Sequence, residues 1–164
     1  MAGRNIIVVG ASAGGFGAIS KLLRPLPPDF AAAVFIVIHR SRHLDLKGGP
    51  DSVAALIRRD ISLPTQSATD GLLIRSGTCY FAPPGSHLIV ERGVMRLEAS
   101  PEELRARPSV DALFRSAALS YGRQVIGVVL TGMLNAFRSN PGSCGIAHLS
   151  LLAPRLGSVS RGPA

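Results

Sequence analysis

The sequence predicts an α/β domain: a doubly wound, mostly parallel (Rossmann-like) sheet with a β-hairpin excursion. Three observations predict it. Short β-branched runs alternate with segments whose apolar residues have helical spacing. Pro and Gly clusters punctuate the joints. Two alternating runs, His87 to Glu91 and Val94 to Glu98, flank Arg92-Gly93, which is a hairpin signal.

Each element follows in order. Asn5 to Val9 reads as the first buried strand and Gly15 to Leu23 as a helix, stopped by the cluster Pro25-x-Pro27-Pro28. Ala33 to Ile38 is a second buried strand that ends at His39. Arg40 to Pro50 is polar and contains Gly48-Gly49-Pro50, so it reads as a loop. Asp51 or Ser52 can cap a helix running through Arg59. Pro64 to Thr69 is a weak strand signal. Thr78 to Ala82 is a stronger one, closed by Pro83-Pro84-Gly85. Behind Pro108, Ser109 caps a helix through about Ser120, and Gln124 to Leu130 is a buried strand.

The length of 164 residues suits one domain, with enough apolar content for a real core. No run approaches the ~18 apolar residues of a bilayer span, so no membrane insertion is expected. The apolar stretch behind Arg4 is too short and Gly-interrupted for a signal peptide. Cys79 and Cys144 form neither a disulfide framework nor a metal spacing, which suits a reducing, cytoplasmic setting. The net charge of +8 suggests nucleic acid until it is mapped: residues 112–164 hold five scattered arginines and no acid. Without a dense basic patch, and with no tryptophan for base stacking, no nucleic-acid partner is expected.

The candidate chemistry lies at Gly10-Ala11-Ser12-Ala13-Gly14, directly behind Ile6-Ile7-Val8-Val9. A serine on a Gly-flanked turn between strand and helix has the form of a nucleophile elbow. The helix that follows offers unpaired N–H groups where an oxyanion would form. The same glycines allow a phosphate or nucleotide loop, or a plain βα turn. The dinucleotide fingerprint, however, would need Gly where Ser12 stands, and no acid ends the next strand. A nucleophilic serine needs a base. His39, His43, His87 and His148 are the candidates, and His39 is preferred because it ends the second strand. Active sites of parallel sheets gather at carboxyl ends, where Ser12 and His39 would meet if their strands adjoin. An acid to orient the base belongs after Leu130, yet no carboxylate follows Asp111 anywhere in the chain.

At these residues the chain resembles the catalytic domain of the chemotaxis receptor methylesterases, the CheB family. The resemblance rests on residues 7–15, on Val37-Ile38-His39 and on Tyr80-Phe81-Ala82-Pro83-Pro84-Gly85-Ser86-His87. It continues in Arg107-Pro108-Ser109-Val110-Asp111-Ala112-Leu113-Phe114 and in residues 127–133, so that it covers roughly residues 4–133 in order. It implies hydrolysis of γ-glutamyl methyl esters on the signalling helices of methyl-accepting chemotaxis receptors, with deamidation of receptor glutamines. No cofactor or metal is implied. It assigns Ser12 as nucleophile, His39 as general base and the backbone N–H at Met133 to the oxyanion site. The family's acid lies in a segment of the form T-G-M-x-N-D-G, and Ala136 holds the Asp position here.

Residues 1–133 therefore read as a methylesterase-like α/β domain, and 134–164 as an atypical tail of the kind usually poorly ordered. That tail contains neither acid nor lysine. The simultaneous end of the resemblance and change of composition predicts a shift of reading frame, or a truncated gene, near Leu134 to Ala136. Two other readings remain open: a receptor-binding remnant of the family without turnover, and a nucleotide-binding α/β domain.

Overall fold

The computed structural model describes residues 5–12, 15–39, 55, 57–99, 108–130 and 146–147. In chain order its elements are β1 (Ile6–Ser12), α1 (Phe16–Leu23), β2 (Ala33–His39), β3 (Thr65–Ser67), β4 (Cys79–Phe81), β5 (His87–Glu91), β6 (Val94–Glu98), α2 (Val110–Tyr121), a 3-10 turn (Gly122–Gln124), β7 (Val125–Leu130) and β8 (Ile146–Ala147). Ala55, Ile57 and Arg58 are also helical, within the helix expected to run through Arg59.

Six strands form one sheet in the order β3-β4-β2-β1-β7-β8, with every pairing parallel. Strands β5 and β6 form a separate antiparallel pair, joined at Arg92-Gly93, where Gly93 takes φ 78°. The doubly wound sheet and its hairpin are thus present.

A parallel sheet must be covered on both faces, and period-2 alternation sorts its residues between them. Ile6, Val8, Phe35, Val37 and Val125 face α2 and the hairpin, meeting Leu88, Val90, Leu113 and Ala117. Val9, Ala11, Ile36, Ile38 and Leu130 face the other way, against Ile19 and Leu23 of α1 and against Ile57 and Leu63. A residue such as Leu113, fully removed from water, contributes about 2 kcal/mol by burial.

Helix α2 starts where the sequence placed it. Ser109 stands at its N-cap in extended conformation, and its Oγ accepts from the Ala112 N–H at 3.4 Å. The helix lies along β5 and is fastened to the hairpin by side chains. The Val90 N–H donates to Ser116 Oγ at 3.0 Å, Ser120 Oγ donates to the Val90 carbonyl at 3.0 Å, and the Gly93 N–H donates to the Tyr121 hydroxyl at 2.8 Å.

One expectation needs correction. Strand β1 does not end at Val9 but continues through Ser12, because Gly10 and Ala11 keep their pairing with Val37 and Ile38 of β2 and with Val129 and Leu130 of β7. A glycine reads locally as a turn, but here the ladders on both sides hold it extended. Farther along the chain, Ile146–Ala147 pairs with Gly127 and Val128 as an edge strand. The loop expected over residues 40–50, and the other tail residues, lie outside the described residues.

Candidate active site

Ser12 and His39 are the last residues of β1 and β2, and they are register partners across the two strands. Adjacent parallel strands lie about 4.8 Å apart, so the two backbones are neighbours at the carboxyl edge. Strand β1 is also where the winding reverses. The chain runs from β1 to β2, then to β3 and β4 on that side, and returns to place β7 on the other. Ligands of open α/β sheets bind at such a switch point, outside the strand ends.

Helix α1 begins four residues after Ser12. Its N-cap, Gly15, supplies no side-chain cap, and its first turn holds no acid. The N-cap glycine therefore offers its leading N–H groups no capping side chain of its own.

The N-terminus of α2 reaches the same edge. A Cβ at Gly10 would stand 2.5 Å from Val110 Cγ1, so the first residue of α2 rests directly on β1 two residues before Ser12. Gly127, beside Val8 in the ladder, is covered in the same way by Phe114, whose ring would be 2.8 Å from a Cβ there. Gly10 is therefore a packing glycine, where a helix crosses close above a strand. In a dinucleotide loop it would instead make room for a phosphate. The packing role of Gly10 counts against the nucleotide-loop reading.

Among the histidines, His87 is removed from the list of bases. It opens β5 with 1% of its surface exposed, and its Nδ1 accepts the Ser109 N–H at 3.1 Å. Sequence reasoning missed this role, although a histidine 22 residues before an N-cap serine carries no local signal of it. His43, His148, Met133 and Ala136 lie outside the described residues. Asp111 sits in the first turn of α2, beside the Val110 that touches Gly10. Cys79 is buried in β4, and burial pushes its thiol well above the ordinary range, leaving an inert core residue. Among the described residues no cluster of three His, Cys, Asp or Glu could hold a metal, and no helix is long and apolar enough to cross a membrane.

A family model described as CheB methylesterase matches residues 7–136. The chain belongs to the CheB methylesterase family. A protein-glutamate methylesterase/protein-glutamine glutaminase 2 of Anaeromyxobacter dehalogenans is 41% identical over 128 residues, covering 78% of this chain and 36% of that protein. A relative of the same description in Myxococcus xanthus, numbered 5, is 39% identical over 136 residues, or 80% of this chain and 38% of its own length. The crystal structure of the Thermotoga maritima CheB methylesterase catalytic domain matches with a TM-score of 0.71 at 31% identity, covering 81% of this chain and 69% of that one. The chain thus spans a little over a third of the length of these curated relatives, and the family match stops at Ala136.

Proposed function

We propose that this chain is a protein-glutamate methylesterase, with glutamine deamidation as the related activity. Its substrates are the cytoplasmic signalling helices of methyl-accepting chemotaxis receptors. The observation that carries this reading is the register pair Ser12–His39 at the switch point of a CheB-type sheet. Ser12 Oγ attacks the γ-ester carbonyl while His39 takes its proton. Backbone N–H groups at the start of α1 and at Met133 receive the oxyanion. Collapse of the tetrahedral intermediate expels methanol, which takes the proton from His39. Water, activated by His39, then releases the glutamate carboxylate and frees Ser12. Metal and cofactor have no part in this sequence, and the compartment it requires is the cytoplasm.

The test is methanol release from a methyl-esterified receptor cytoplasmic fragment, with Ser12→Ala as the blank. Release above the blank is expected. Equal release in two folded samples would overturn the reading.

Ala136 favours a second reading, in which the domain binds receptors without turnover. Loss of the orienting acid alone costs about 10⁴ in turnover, and binding to the fragment without Ser12-dependent release would support that reading. Restoring the acid by Ala136→Asp is expected to raise release less than tenfold, because a carboxylate acts only when its surroundings hold it in place. The family's Asp-Gly step is Ala136-Phe137 here. A gain above about tenfold, or ~1.4 kcal/mol, would show a site assembled in all but its acid.

A further inference from the structure

We propose that His87 is a positioning residue for the Ser12–His39 edge, acting as the fixed acceptor that anchors the N-terminus of α2 above β1. This inference rests on the esterase reading of Ser12.

Four contacts build the case. His87 is buried, and its Nδ1 accepts the backbone N–H of Ser109. Ser109 is the N-cap of α2 and is itself 3% exposed. Val110, next in the chain, rests on Gly10 with no room for even a Cβ between them. Gly10 lies two residues before Ser12, and its partner Val37 lies two residues before His39. An imidazole 1% exposed is thus joined to β1 through one hydrogen bond and the packing of the Val110 side chain on Gly10, and to β2 through the ladder that pairs Gly10 with Val37.

The chemistry of the bond fixes the state of the ring. An Nδ1 that accepts a hydrogen bond carries no proton, so the neutral ring holds its proton on Nε2. A buried backbone N–H without an acceptor is costly, so loss of this Nδ1 would drive residues 109–110 to move. Such a movement would shift the Val110 side chain that rests on β1 at Gly10, two residues before Ser12. Near-attack geometry is sensitive at that scale: a misplacement of ~1 Å costs roughly 10²-fold in rate.

The other fastenings of α2 supply the internal control. Ser116, Ser120 and Tyr121 hold its far end to β5 and to Gly93. At ~1.5 Å per residue, Ser120 lies roughly 15 Å along the helix from Val110. A residue that matters only for stability would behave like Ser120. A positioning residue would not.

The experiment compares His87→Asn, His87→Gln and Ser120→Ala with the unaltered protein in the methanol-release assay, with thermal unfolding measured on the same samples. Asparagine Oδ1 can occupy the place of Nδ1 and accept from Ser109, whereas glutamine Oε1 reaches the place of Nε2. His87→Asn should keep kcat within about threefold. His87→Gln should lose kcat at least tenfold, with KM changed less than twofold. Ser120→Ala should keep its kcat whatever it loses in melting temperature. Equal kcat for the Asn and Gln variants, or a kcat loss in Ser120→Ala matching that of His87→Gln, would overturn the proposal. If Ser12→Ala releases as much methanol as the unaltered protein, the esterase reading fails and takes this inference with it. If Ser12 is required but the two His87 variants agree, only the inference fails.

Discussion

Replacing His39 by glutamine is expected to lower Ser12-dependent methanol release roughly 10²-fold, and the double replacement with Ser12→Ala should fall no further. The expectation follows from the way such groups act as a unit. In an intact serine triad, loss of the serine or the histidine costs about 10⁶ in turnover, whereas loss of the acid alone costs about 10⁴. Ala136 already stands at the family's acid position, so most of that loss is present in the unaltered chain. What remains for His39 is the difference, near 10² or ~2.7 kcal/mol. The register pair Ser12–His39 sets the two backbones side by side, and the proposed mechanism takes His39 as the base on that ground. His87 offers no substitute, because its Nδ1 is engaged by Ser109. The measurement is single-turnover methanol release for the two single variants and the double. A His39→Gln variant retaining more than a tenth of the activity would show that another group takes the Ser12 proton. Additive losses in the double variant would show that the two residues do not act together.

The elements themselves were legible because short-range physics specifies them. The hairpin over 87–98 follows from alternation around Arg92-Gly93, and the start of α2 follows from Ser109 behind Pro108. Strand β2 runs to His39 as expected, because the six unbroken apolar residues Ala33–Ile38 suit a strand buried on both faces. The adjacency of β1 and β2, on which the pairing of Ser12 with His39 depends, was a condition in the sequence and a fact of the ladder. Three features were not legible. Gly10 looked like the first residue of a turn, and only the helix crossing above it explains the glycine. His87 looked like a spare base, and its partner is an amide 22 residues away. The edge pairing of Ile146–Ala147 comes from a segment whose composition reads as tail. In each case the deciding contact is tertiary, and local spacing carries no trace of it.

Gly10→Ala is expected to destabilise the fold by about 1–2 kcal/mol and to lower activity along with stability. Two effects compete. Alanine normally stabilises a strand relative to glycine by about 0.5–1 kcal/mol, through the entropy of the unfolded chain. Here its Cβ would stand 2.5 Å from Val110 Cγ1 and 3.1 Å from Cγ2. A β-branched side chain in the first turn of a helix has little rotamer freedom to yield, so the backbone of α2 must lift. Overpacking of this kind costs about 1–3 kcal/mol, and the clash outweighs the entropy gain. Gly127→Ala meets the edge of the Phe114 ring instead, which can turn aside, so its cost should be smaller. Lifting α2 at Val110 also strains the bond from the Ser109 N–H to His87, which is why activity should fall with stability. Chemical denaturation of Gly10→Ala, Val110→Ala and the double variant checks the cause. Val110→Ala alone removes buried methyl groups and should destabilise, yet it opens the space that the new Cβ needs. The double variant should therefore be more stable than the sum of the two losses predicts, with a coupling of about 1 kcal/mol or more. Additive losses would mean that the glycine at position 10 serves something other than the close approach of α2 to β1.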